Sequence, residues 1–133
     1  MTSRGGPSST VLVIEDDAAL RQLYRYALTA RGLGVVMATD GLAALARLDE
    51  FSPAAIVLDL GLPRLPGRVV LDELLASHAA DETSVVVVTA LEPTALPTGV
   101  TVLRKPVDAD DLAELIERRV RAAGRRQGPR ASA

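Results

Sequence analysis

The chain contains no cysteine, a single histidine and only 2% aromatic residues. Without cysteine there is neither a disulfide nor a thiolate metal centre. The lone histidine, His78, stands near the end of a helical pattern and is expected at the surface, outside any catalytic set. With so few rings, Val, Leu, Ile and Ala must build the core, and apolar residues make up 48% of the chain. Long apolar runs are missing too; none approaches the ~20 residues of a membrane span. Met1 to Thr10 is polar and lacks the apolar stretch of a signal peptide. Neither sign of charge dominates. A formal net charge of −2 speaks against a general nucleic-acid surface, which needs an excess of Lys and Arg. The arginines at 118, 119, 121, 125, 126 and 130 read best as a solvated helix face running into a tail. What remains is a cytoplasmic protein with no membrane partner and no direct nucleic-acid partner. A length of 133 residues suits one domain around one core.

Both ends read as disordered tails. Residues 1–9 are rich in Gly, Ser and Pro, and 124–133 in Arg, Gly, Pro, Ser and Ala. Between them, residues 10–123 form the expected domain, and strand and helix patterns alternate. Val11–Ile14 reads as a strand buried on both faces. Leu20, Leu23, Tyr24, Ala27 and Leu28 then mark one helix face, with Gly32 as a stop. Leu33–Ala38 is a weaker strand. Asp40 can cap a helix whose inner face carries Leu42, Leu45 and Leu48. Ala54–Leu58 is a third strand, and a helix from about Arg68 to Ser77 buries Val70, Leu71, Leu74 and Leu75. Ser84–Val88 is a fourth strand, ending at Thr89. From Leu91 to Gly99, Pro93, Pro97 and Gly99 leave little room for a regular helix. Val100–Leu103 is the last strand, and Asp108 caps a final helix bearing Leu112, Leu115, Ile116 and Val120.

Strands alternating with helices imply an α/β fold with a parallel sheet, helices on both faces and right-handed crossovers. The expected strand order is 2-1-3-4-5, with the switch point between the first and third strands, where such sheets place their ligands. Those two strands end in acids. Glu15-Asp16-Asp17 follows the first and Asp59 the third. Clustered carboxylates repel, so the arrangement makes sense mainly if a hard cation or a shared proton holds them. Thr89 and Lys105 follow the fourth and fifth strands onto the same rim. Taken singly, each residue has a plain structural reading. Asp59 can be a turn residue before Gly61 and Pro63, Asp16 or Asp17 a helix cap, Thr89 a strand end, and Lys105 a solvated lysine. Together they argue for a site.

Four motifs occur in order, each after a strand. They are Val13-Ile14-Glu15-Asp16-Asp17, Leu58-Asp59-Leu60-Gly61-Leu62-Pro63 with Gly67 eight residues after the acid, Val88-Thr89-Ala90, and Lys105-Pro106. From Val11 to Ala122 the chain resembles the receiver domain of two-component response regulators, of the single-domain, chemotaxis-regulator-like kind. The resemblance implies a flavodoxin-like, doubly wound, five-stranded parallel sheet. It implies that Asp59 is the phosphoacceptor, taking a phosphoryl group from the phosphohistidine of a histidine kinase or phosphotransfer protein. It implies Mg²⁺ held by Asp16, Asp59 and the backbone carbonyl of Gly61, with Glu15 acting largely through a coordinated water. Lys105 would contact a phosphoryl oxygen, Thr89 would turn its hydroxyl toward the phosphate, and the Lys105–Pro106 peptide would be cis. The residues after the last helix are too few for an output domain. Output is therefore expected through an unknown downstream protein, a homodimer or relay to another histidine protein. Such a chain is a signalling switch that catalyses only its own phosphorylation and dephosphorylation.

The chain also departs from the family pattern. Glu stands at position 15 in place of the more usual Asp, Pro66 precedes the glycine, and Val107 replaces the common Phe after Lys-Pro. Val102 occupies the place of a Tyr or Phe. Only sixteen positions lead from Thr89 to Lys105, roughly one and a half helical turns fewer than the family norm. The fourth helix is therefore expected to be shortened or absent. The missing helix and the absent switch aromatic at position 102 favour an alternative, a phosphorylation-independent protein interaction module on the same fold, which the complete acidic site disfavours. A flavodoxin-like cofactor binder fits less well, because the Glu-Asp-Asp loop would repel a phosphate.

Overall fold

A computed structural model of the chain describes residues 9–77, 83–90, 92, 96–97 and 99–127. Its elements are β1 (Thr10–Ile14), α1 (Ala18–Thr29), β2 (Gly34–Ala38), α2 (Gly41–Glu50), β3 (Ala55–Leu58), α3 (Gly67–Ala76), β4 (Ser84–Thr89), β5 (Thr101–Arg104) and α4 (Ala109–Gln127). The five strands pair in parallel in the order β2-β1-β3-β4-β5, as the alternation of patterns predicts. No helix is described between β4 and β5, a stretch in which residues 91, 93–95 and 98 lie outside the described ones. The last helix runs to Gln127, past the expected domain edge at 123. His78, Leu91, Pro93, Arg130 and the segments 1–8 and 128–133 also lie outside the described residues. Among those described, no helix is long and apolar enough to cross a membrane.

Successive side chains of a strand point to opposite faces, and the core divides accordingly. Val11, Val13, Val57, Val86 and Val88 pack against Tyr24, Ala27 and Leu28 of α1 and Leu112, Ala113 and Ile116 of α4. On the other face, Leu12, Ile14, Ile56, Leu58, Val85 and Val87 pack against Ala44 of α2 and Val70, Leu71 and Leu74 of α3. Both faces of the central strands are thus buried, which is why these strands read as unbroken apolar runs.

Two expected core positions are corrected. Leu23 is 55% exposed and Leu42 is 56% exposed. On α1 the inward stripe is Leu20, Tyr24, Ala27 and Leu28, and Leu23 falls on its outer flank. On α2 the cause is close approach. A Cβ at Gly41 would lie 2.7 Å from the Leu65 Cβ, so the helix turns Gly41 and Ala44 inward and rotates Leu42 out. Asp40 caps α2 through the Ala43 N–H (2.8 Å), and Asp108 accepts from the Asp111 N–H (3.0 Å) at the start of α4.

Candidate functional site

The strand register brings the acids together. Ile14 lies beside both Ala38 and Leu58. The residues that follow β1 and β3 leave the sheet side by side, with the Glu15 N–H on the Ala38 carbonyl (3.1 Å) and the Asp59 N–H on the Ile14 carbonyl (3.0 Å). Glu15 is 1% exposed and Asp59 7%, whereas Asp16 is open to solvent. One carboxylate oxygen from each of the three lies within 4.8 Å of the others. The Lys105 ammonium reaches in from beyond β5, 2.9 Å from Glu15 Oε1 and 3.2 Å from Asp59 Oδ2. Its backbone N–H donates to the Thr89 carbonyl (2.9 Å), which ties the lysine's loop to the end of β4. Thr89 itself is fully buried. The Lys105–Pro106 peptide is cis. All the expected site residues therefore stand on one rim. For Gly61 the structure shows an N–H donated to Asp59 Oδ1 (3.0 Å).

Local sequence explains these placements. Asp17 caps α1, its Oδ1 accepting from the Leu20 N–H at 3.1 Å, so the capping duty falls on Asp17 and Asp16 stays available to the rim. The Asp17 N–H donates to Glu15 Oε2 (3.2 Å). Behind Asp59 the start of α3 comes in close, and Gly67 permits it. A Cβ there would collide with the Asp59 carbonyl oxygen and lie 2.6 Å from the Leu60 Cα. The glycine eight residues after the acid thus serves close packing against the acid's own backbone.

Burial pushes the Glu15 carboxyl up from its usual range. The hydrogen bonds from Lys105 and from the Asp17 N–H pull it back, and the neighbouring Asp59 raises it further. Burial also works against the charge on Lys105, yet the carboxylates of Glu15 and Asp59 outweigh it and hold the ammonium above its ordinary value. One lysine thus faces three acids. An all-oxygen donor set with an uncompensated negative charge, two of its members buried, suits a hard divalent cation such as Mg²⁺. The residues present fit that ion.

Two features were not legible in the sequence. The first is the direct Glu15–Lys105 pair; the second is Arg21. Its Nη1 donates to the carbonyl oxygens of Glu15 (2.9 Å) and Asp16 (3.0 Å). An arginine on the first turns of an amphipathic helix carries the same pattern as a solvated one, so no sequence signal marks it.

Comparison with known proteins agrees with this geometry. Residues 11–117 match the family profile described as response regulator receiver domain. The Response regulator MprA of Mycobacterium bovis (strain BCG / Pasteur 1173P2) is 37% identical over 83 residues, 62% of this chain and 35% of that protein. The Regulator of RpoS of Escherichia coli (strain K12) is 34% identical over 113 residues, 80% of this chain and 33% of that protein. The chain spans about a third of the length of these curated relatives. Among solved structures, the signal receiver domain of a putative Luxo repressor protein from Vibrio parahaemolyticus superposes with a TM-score of 0.76 at 28% identity. The match covers 87% of this chain and 92% of that one. A CheY-like receiver domain protein from Methanospirillum hungatei JF-1 gives a TM-score of 0.80 over 90% of this chain and 98% of that one, and at 21% identity it speaks for the fold. A five-stranded sheet in this order, with acids gathered at its switch point, and a family match over most of its length lead to one conclusion: the chain belongs to the response regulator receiver domains of two-component systems.

Proposed function

We propose that this receiver domain accepts a phosphoryl group on Asp59 from a histidine kinase or phosphotransfer protein in a Mg²⁺-dependent reaction. The observation that carries the reading is the Lys105 ammonium set between Glu15 and Asp59, with the Asp16 carboxylate beside them. In the transfer, an Asp59 carboxylate oxygen forms a bond to phosphorus while the bond from phosphorus to the donor's imidazole nitrogen breaks. The electron pair returns to that nitrogen. A carboxylate is a weak nucleophile, and the chemistry depends on dispersing charge on the transferring group. Asp16, Asp59 and the Gly61 carbonyl would hold Mg²⁺, which when bound supplies that charge dispersal. Both Glu15 oxygens already have partners, Lys105 and the Asp17 N–H, which supports an indirect role through water. Lys105 offers its charge to a phosphoryl oxygen, and the Gly61 N–H keeps Asp59 oriented. Thr89 would carry the modified state outward through its hydroxyl.

Output runs through protein contacts or onward relay, in the cytoplasm, from a unit of residues 10–123 that encloses the family match. Leu23 and the 77% exposed Tyr26 stand on the outer side of α1, the helix that starts at the rim, and favour a protein partner there. Val102 at the switch-aromatic position keeps the phosphorylation-independent interaction module as the second reading. Incubation with acetyl phosphate and Mg²⁺ separates the two. The expected result is a mass gain of one phosphoryl group that disappears in Asp59→Ala and without the metal. No gain in the intact chain, or a gain that survives Asp59→Ala, rejects the phosphoacceptor reading.

A further inference from the structure

We infer that Arg21 is a positioning residue for the metal-binding acids, a conclusion that rests on the Mg²⁺-dependent reading above. Glu15 and Asp59 have side-chain partners that fix them: Lys105 for both, the Asp17 N–H for one and the Gly61 N–H for the other. Asp16 differs. Among the described residues its carboxylate has no hydrogen bond or ion pair. It is solvent-exposed and sits beside two other acids, so repulsion favours swinging it outward. Its position must then be set through its backbone. Arg21 supplies that restraint, because one guanidinium nitrogen takes both the Glu15 and the Asp16 carbonyl oxygens. The Glu15 N–H is meanwhile fixed on Ala38. The Glu15–Asp16 peptide is thereby held by its own carbonyl, and the peptides on either side by the Glu15 N–H and the Asp16 carbonyl, and with them the direction in which each side chain leaves the chain.

Groups that orient metal ligands without touching the ion set affinity by sparing the ligands a search. Arg21 also carries a positive charge, and charge alone would oppose a cation. The two effects have opposite signs, so a substitution tells them apart. Arg21→Met keeps the stem and helix propensity and removes the donors and the charge. Arg21→Lys keeps the charge and one donor group.

Titration of the metal-free protein with Mg²⁺ by calorimetry provides the measurement, with acetyl phosphate labelling at saturating Mg²⁺ and the thermal midpoint recorded on the same samples. The expected outcome is an affinity about tenfold weaker in Arg21→Met. Arg21→Lys should fall between it and the unaltered chain, and raising Mg²⁺ to saturation should recover most of the labelling rate lost at low metal. Unchanged or tighter binding in Arg21→Met overturns the inference. So does a labelling rate at saturating Mg²⁺ that falls together with the thermal midpoint, since that marks a purely structural arginine. If the unaltered chain binds no Mg²⁺ and takes no label, the phosphoacceptor reading fails and this inference fails with it.

Discussion

The rim and the seam between α1 and α4 both set a glutamate against cations at short range, and they respond in opposite ways. At the seam Glu117 accepts from Arg31 at 2.8 Å and from Arg121 at 2.6 Å. Two arginines serve one carboxylate near the surface. Their hydrogen bonds, Arg121 first and then Arg31, hold the Glu117 carboxyl below its usual range. At the rim Glu15 has Lys105 at 2.9 Å, yet burial wins and its carboxyl is raised. Distance to a partner therefore does not fix the sign of an ion pair's effect; desolvation and the local tally of charges do. The seam is compensated and belongs to the framework. The rim carries surplus negative charge, three carboxylates gathered about one lysine.

Placement separates the two regions further. The seam relies on long arginine side chains, whereas the rim relies on backbone approach at Gly67. Gly67→Ala should give the largest effect here. A methyl group there has no room against the Asp59 carbonyl and the Leu60 Cα, and overpacking of this kind costs about 1–3 kcal/mol. A lower thermal midpoint and slower labelling of Asp59 at every Mg²⁺ concentration are expected. An unchanged midpoint would mean that the rim tolerates movement of α3, and the contrast with the seam would lose its basis.

Asp16→Asn sharpens the comparison in the opposite direction. It removes a charge that has no partner among the described residues and lies within 4.8 Å of two others. Because the group is exposed and screened, the gain is set at about 1 kcal/mol. The metal-free protein should melt higher, and the stabilisation by Mg²⁺ that follows from binding the native state should largely vanish. A lower midpoint in the metal-free variant would show that the acids at the rim do not strain one another.

How far these regions can be read from sequence follows from the same physics. Apolar runs bounded by acids and turn residues mark Val11–Ile14, Ala55–Leu58 and Ser84–Thr89 plainly, because strands buried on both faces tolerate little else. Alternation with helices then implies a parallel sheet, and the order 2-1-3-4-5 expected for it brings Asp16, Asp59 and Lys105 to one edge. Helix faces were legible only in part. Leu23 and Leu42 share the apolar character of their neighbours, and the rotation that exposes them comes from packing, at α2 from the close contact of Gly41 with Leu65. The Glu15–Lys105 pair joins residues ninety positions apart through the reach of two flexible side chains, and Arg21 acts on main-chain carbonyls. Neither kind of contact leaves a periodic trace.

The smallest expected effect lies at the seam and is best seen in its pH dependence. The Glu117 carboxyl is lowered from 4.5 in the folded protein. Its contribution to stability is therefore present above the unfolded value and fades as pH falls through the folded one. Glu15 is raised from the same 4.5, so its contribution is complete below the unfolded value and fades as pH rises through the folded one. Thermal midpoints of the metal-free protein, recorded in EDTA from acid to neutral pH, should separate the two. Glu117→Gln should flatten the acid limb, below about pH 4.5, and leave the limb above it unchanged. Glu15→Gln should flatten the limb above that value and leave the acid side alone. The Glu117 change is the smaller because solvent screens an ion pair near the surface. Should both variants flatten the same limb, burial would not be what distinguishes the two glutamates, and the charge tally alone would have to explain the rim.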